Sequence, residues 1–306
     1  MLNNKNINFL KVAKKLNIIT IICILIGLGS IIFKGLQPAL EFTGGFSTRI
    51  KTTNMTIQEL DIRKALEQAT NKQMQVVNIK SSGKDSLLTK EFLIETQYNN
   101  RELIIETLID TTDDPTLEIG EFSTQEAHIG KELALKTLYA FLLALLVIGI
   151  YVTIRFDRHY AIGSLIALFH DVLFTIGILS LLDIQLSLSI VAAILTIIGY
   201  SLNDTIVVYD RIRENVLKLD SDKFDIVNIS LNQILNRTII TSLTTLFVVV
   251  VLYFFGGDIL EPFATTLIIG VIIGTYSSIF IASPVMIYLG NKFPIKELDE
   301  EELIKN

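Results

Sequence analysis

Tryptophan is absent from this chain, and cysteine nearly so. The 306 residues hold one cysteine, Cys23, which excludes an intrachain disulfide and any metal site built from four thiolates. Without tryptophan, an aromatic belt at a membrane surface rests on tyrosine and phenylalanine. Charge is also scarce. Only 19% of residues are Asp, Glu, Lys or Arg, against about a quarter in ordinary soluble domains. A basic excess is missing too: Lys+Arg 26 against Asp+Glu 32 gives a net charge of -6, which leaves a nucleic-acid binder without support. Apolar residues take the room instead. They make up 50% of the chain, and the mean hydropathy of +0.52 excludes a disordered polymer.

The apolar residues fall in six blocks, near 16–36, 137–155, 160–182, 186–208, 237–255 and 264–289. Each approaches the roughly 20 residues that a membrane-crossing helix needs. The first follows Lys11, Lys14 and Lys15, as a signal peptide would. Its apolar run is long, however, and Gly35-Leu36-Gln37-Pro38 stands where a small-residue cleavage site would, so it reads as an uncleaved span. Lys136, near the start of the second block, can snorkel to the surface. Basic residues flank the blocks on one side: Lys5, Lys11, Lys14 and Lys15; Arg155 and Arg158; Arg211, Arg213, Lys218, Lys223 and Arg237; Lys292, Lys296 and Lys305. The opposite turns, around Asp183-Ile184-Gln185 and 256–262, carry no Lys or Arg. Six alternating helices therefore predict both termini in the cytoplasm, with residues 37–132 outside it. Five spans with one buried helix would strand a basic loop on the wrong side.

Residues 37–132 contain 10 Lys/Arg and 16 Asp/Glu. They read as a small α+β unit of about 95 residues, enough for an independent core. The pattern predicts strands over 46–53, 74–80, 91–97 and 116–124, with a turn at Ser81-Ser82-Gly83-Lys84. A helix over 56–70 carries Thr56 as N-cap and Glu59 completing a capping box, and a second runs from Asn99 or Asn100 to about Asp110. His128 reads as a surface residue, and the unit as an interaction module without catalytic groups. The fold class is thus an α-helical polytopic membrane protein: six transmembrane helices with one α+β extracytoplasmic domain between helices one and two. The domains run 1–36 (N-terminus and first span), 37–132, 133–290 (the other five spans, with a cytoplasmic amphipathic segment 209–236 lying on the membrane surface or docked as a hairpin), and a tail 291–306.

Ionisable residues inside a span cost on the order of 3 kcal/mol and usually face a bundle interior or a water path. Asp171 follows His170 mid-way along the third block. Asp204 lies in a polar interruption of the fourth, with Tyr200, Ser201, Asn203 and Thr205 around it. Arg237 opens the fifth, and Thr241 and Thr244 share its helical face. Asp204 with Arg237 reads as a proton relay, the alternative being a static ion pair; for Asp171 a functional and a structural role stay open. In the sixth block Gly270, Gly274, Ser278 and Ala282 recur every fourth residue, a row that permits close helix packing.

These residues carry a resemblance. The run Ile198-Gly199-Tyr200-Ser201-Leu202-Asn203-Asp204-Thr205-Ile206-Val207-Val208-Tyr209-Asp210-Arg211-Ile212-Arg213-Glu214-Asn215 resembles the signature of the SecF family of protein-export membrane subunits, within the SecD/SecF group of the resistance-nodulation-division superfamily. Asn236-Arg237-Thr238 with Thr241-Ser242-Leu243-Thr244-Thr245, Leu168-Phe169-His170-Asp171-Val172 and Glu41-Phe42-Thr43-Gly44-Gly45 are similar to further motifs of that family. Glu41 stands where the family has Asp, and the stretch 125–133 keeps Gly130-Lys131-Glu132-Leu133 but lacks the usual Gly-Pro. The resemblance implies a SecD partner, action beside the SecYEG channel and with YajC on an emerging preprotein in the bacterial inner membrane, drive from the proton motive force, and no cofactor or metal. It also implies that Asp204 and Arg237 are the pair concerned with proton passage, with Asp171 as a further candidate. A small-molecule exporter of the same superfamily is the alternative; it predicts two six-span halves in one chain and a larger outer domain. An intramembrane aspartyl protease would need a motif that surrounds neither Asp171 nor Asp204.

Overall fold

The computed structural model describes residues 7–290 apart from 72–74, 80–88, 97, 99, 115–116, 126 and 258–259. The expected turn at 81–84 and the basic residues of the tail lie outside the described residues. Helix α1 (Phe9–Lys34) leads through a four-residue α2 (Leu40–Thr43) into strand β1 (Gly45–Thr52). Helix α3 (Glu59–Thr70), strands β2 (Gln75–Ile79) and β3 (Lys90–Thr96), helix α4 (Arg101–Thr112) and strands β4 (Glu118–Ile119) and β5 (Ser123–Gln125) follow. The remainder is helical: α5 (Ala127–Arg155), α6 (Arg158–Leu181), α7 (Leu188–Lys218), α8 (Lys223–Phe255), and α9 (Glu261–Ser277), which passes through a π turn at Ser278–Ala282 into α10 (Ser283–Gly290).

Among the described residues six helical stretches are long and apolar enough to cross a membrane, α9 and α10 together making the last. The chain is a multi-pass membrane protein. The helices overrun the six apolar blocks, because charged residues end a hydropathy window without ending a hydrogen-bonded helix. α6, α7 and the last stretch are about half buried, whereas α1, α5 and α8 turn most of their apolar surface outward. Segment 209–236 is not a helix lying apart on a surface: α7 runs on to Lys218, and α8 returns from Lys223 as a hairpin. Ile212, Ile226, Val227 and Ile234 are buried there, and Asn215 Nδ2 donates to Ser230 Oγ and Gln233 Oε1, each at 2.8 Å. Those apolar stripes satisfy each other rather than lipid.

The α+β unit between α1 and α5 is an antiparallel sheet of order β2-β3-β1-β4, with β5 pairing the start of β1. Thr48, Ile50 and Thr52 face inward from β1, and register sets Ile50 opposite Phe92 and Thr48 opposite Ile94. Period-two alternation therefore builds one apolar face, which α3 and α4 cover with Ile62, Leu66, Ile104 and Leu108, all fully buried. Asn100, one of the two candidate caps, accepts from Leu103 N–H. The expected Thr56 cap is corrected: Thr56 is held by Asn54 Oδ1, which accepts both its N–H and its hydroxyl, and the capping box forms between Gln58 and Asp61. An Asx turn thus delays the helix by two residues.

Glycines set the closest helix crossings. A Cβ at Gly27 of α1 would meet Gly177 Cα of α6 at 2.6 Å, and Ser30 bonds Ser180 at 2.9 Å one turn on. On α9, a Cβ at Gly270 would collide with Ile197 of α7, and one at Gly274 would lie 3.0 Å from Ser201 Cβ. Ser278 is fully buried and begins the π turn. Pro284 has no N–H to give the carbonyl four residues back. That carbonyl, Phe280 O, accepts from Asn17 Nδ2 of α1 at 2.9 Å instead, and Ala282 O accepts from Tyr209 of α7 at 3.1 Å.

Candidate functional site

The three inner helices meet around a carboxylate. Asp171 of α6 has no exposed surface, and its Oδ2 accepts from Ser201 of α7 at 2.6 Å and from Ser277 of α9 at 2.7 Å. Its Oδ1 stands 3.1 Å from Nδ1 of the neighbouring His170, whose ring is flanked by Phe174 and Tyr276. One side chain thereby ties three helices, at the level where Gly274 lets α9 approach Ser201. Hydrogen bonds to a charged acceptor are about twice as strong as neutral ones. Two protein hydroxyls thus take the place of water on Oδ2.

Asp204 lies three residues beyond Ser201 on α7 and is 3% exposed. Its Oδ2 has no hydrogen-bond partner. Tyr200 Oη, one turn earlier, and Thr238 Oγ1 of α8 are likewise buried without partners. Buried polar atoms are usually satisfied, and each exception points to strain or function; His170 Nε2 and Thr175 Oγ1 of α6 are exceptions of the same kind. Arg237 acts on Asp204 through space but does not close to ion-pair distance among the described residues. Its side chain is exposed on α8. Of the other residues expected here, Thr205 donates to Ser201 O and Thr241 to Arg237 O, each within its own helix. Asn203 is exposed and faces away from the carboxylates, so it does not join this chain's buried cluster. Sequence reasoning missed Ser277 and Asn17, and it gave Thr238 and Tyr209 no contacts. A hydroxyl or amide within an apolar helix was the available signal, but it names no partner.

A family model described as "Protein export membrane protein SecD/SecF, C-terminal" matches residues 104–292. The "Protein translocase subunit SecF" of Rhodothermus marinus is 39% identical over 294 residues, covering 94% of each chain. That of Calditerrivibrio nitroreducens is 41% identical over 298 residues, covering 94% of this chain and 95% of its own. This chain belongs to the SecF family. The crystal structure of SecDF, a translocon-associated membrane protein from Thermus thermophilus, superposes with a TM-score of 0.82 at 32% identity over 95% of this chain. SecDF in its super-membrane-facing form gives 0.72 at 31% over 99%. The SecF-type chain spans 40% of the length of either SecDF chain. Beside the stretch that lacks the Gly-Pro, a Cβ at Gly130 would sit 2.5 Å from Phe42 O, so this SecF-family chain seats α2 directly on α5.

Proposed function

We propose that this chain is the SecF half of a protein-export complex. It works with a SecD-type half in the bacterial inner membrane and uses proton flow to promote preprotein movement. It is a transport component rather than an enzyme. The observation that carries the coupling role is the partnerless Oδ2 of Asp204, buried within the fourth span. A carboxyl with no committed donor is free to take a proton, and the approach or withdrawal of Arg237 shifts the balance between its charged and neutral forms. One elementary charge crossing 100 mV releases about 2.3 kcal/mol, so a few protons suffice to bias a two-state motion.

Arg237 and Thr244 lie exposed on α8 and Asn203 on α7. Polar residues on a lipid-facing surface are costly, which favours a second six-helix half covering this side. The one-sided basic flanks, Arg155, Arg158, Arg211, Arg213, Lys218 and Lys223 among them, favour cytoplasmic termini and an extracytoplasmic sheet domain. SecYEG and YajC are expected neighbours of the assembled complex.

The test is export into inverted vesicles containing the SecD-type partner, with and without a proton gradient. Asp204→Asn keeps shape and assembly and is expected to remove the gradient-dependent part. A double change with Arg237→Gln that restored gradient-dependent export would defeat the relay and leave a static pair. A topology with Lys218→Cys, but not Thr53→Cys, labelled by an impermeant thiol reagent in spheroplasts would defeat the orientation.

A further inference from the structure

The chain joins the outer sheet to the helices through one compact patch. It leaves α1 at Gly35 and runs beside the turn that links α6 to α7. There Leu186 N–H donates to Gln37 O at 2.8 Å, and Ala39 N–H donates to Leu186 O at 2.9 Å. The two bonds make a parallel bridge centred on Pro38. Lys34 pairs with Asp183 of the same turn at 2.9 Å. Glu41 Oε2 then accepts from the N–H of Leu188, the first residue of α7, at 3.4 Å. Phe42 O presses on α5 at Gly130. Gly44 and Gly45, at φ 72 and 145, turn the chain into β1.

The helices on either side of that turn are the ones that carry Asp171 and Asp204. A tilt or rotation of the α6–α7 pair, which Asp171 and Ser201 hold together, therefore displaces residues 183–188. Segment 37–39 is held to them by main-chain bonds, which cannot swing away as side chains do. α2 is one turn long, roughly 6 Å, and too short to bend. Beyond it, β1 pairs with β3 on one side and with β4 and β5 on the other, so a push at Gly45 reaches the whole sheet.

We propose that residues 37–44, seated on the α6–α7 turn and braced by α5 at Gly130, are the transmission joint that converts movement of the carboxylate-bearing helices into movement of the outer sheet. The joint rests on the export reading, but it makes a mechanical claim of its own: the segment and the turn travel as one body. In a Cys23→Ser background, Pro38→Cys with Leu186→Cys places a thiol on each side of the bridge, and the pair is oxidised in membranes containing the partner half. The expected result is equal disulfide yield with and without a proton gradient, and equal gradient-dependent export before and after oxidation. Yield that collapses under the gradient, or export that stops on oxidation and returns on reduction, overturns the joint. Two glycines inserted between Thr43 and Gly44 leave both folded parts intact but slacken the connection. They are expected to lower gradient-dependent export by about tenfold, the scale of a typical coupling energy, while proton uptake and disulfide yield stay unchanged. Undiminished export in that variant also overturns the joint. Should the unmodified protein export no faster with a gradient than without, the export reading fails, and the disulfide yield still reads the joint.

Discussion

Two carboxylates lie within the same bundle, and their surroundings are opposite. Asp171 is saturated, with two serine hydroxyls on one oxygen and an imidazole beside the other. Asp204, one helical turn from Ser201, keeps an oxygen with no donor at all. Both are buried and both interrupt apolar spans, so burial and position alone do not separate them. The number of donors does. A saturated carboxylate holds helices in place; an unsaturated one has capacity left for a proton. The contrast supports the proposed reading, with anchoring at Asp171 and coupling at Asp204, and it can be broken at several points.

The largest effect is expected for Asp204→Asn, which should abolish gradient-dependent export while leaving thermal stability of the purified complex unchanged. A large drop in melting temperature would place Asp204 with Asp171 as an anchor. Next is Gly274→Leu. It forces α9 away from Ser201 and so strains both sites at once, at about 1–3 kcal/mol for overpacking; a melting curve matching the parent would show that α9 yields without disturbing α7. Asp171→Ala strips the acceptor from Ser201 and Ser277 and should cost about 1–3 kcal/mol. Asp171→Asn keeps an oxygen for the same hydroxyls and should retain most of the stability and the pH profile of export. If Asn is as damaging to export as Ala, Asp171 carries protons and the distinction dissolves.

The smallest effect concerns a third carboxyl, outside the spans. Glu95 on β3 is held above the ordinary carboxylate range, first by burial and then by Glu41. Its folded state binds the proton more tightly than the unfolded chain does. The stability it contributes is therefore complete at low pH and is lost as pH rises from the ordinary carboxylate range through the raised value. Glu95→Gln should flatten that dependence and raise the melting temperature at neutral pH, as read by parallel melts across the carboxylate range.

The six spans were legible because each is a long apolar run, and Asn100 because a cap sits next to the helix that it starts. The capping box was misplaced by two residues because Asn54 competes for Thr56, a contact made outside the helix. For the 209–236 segment the surface helix and the docked hairpin stayed open, because an amphipathic stripe looks the same whether it meets lipid or another helix; the structure has the hairpin. The partners of Asp171 were out of reach for a different reason. Ser277 lies 106 residues away, and its pairing is set by how α9 packs, which no local pattern encodes.

The π turn in the last helix has a consequence for how that helix serves two neighbours. Each added residue rotates a helix surface by about 100°. A wide turn therefore resets the angular phase between the stretch before it and the stretch after it. Residues 261–277 can hold a glycine row against α7, while Met286 and Ile287 point into the core formed with α6 and the returning hairpin. An uninterrupted α-helix would aim one of these surfaces into lipid. The carbonyls disturbed by the change are covered by Asn17 and Tyr209, from two different helices. The last span is thus keyed rotationally as well as by depth, and removing a single residue between Ser278 and Ala282 would turn its far end out of the bundle without shortening it by more than a fraction of a turn.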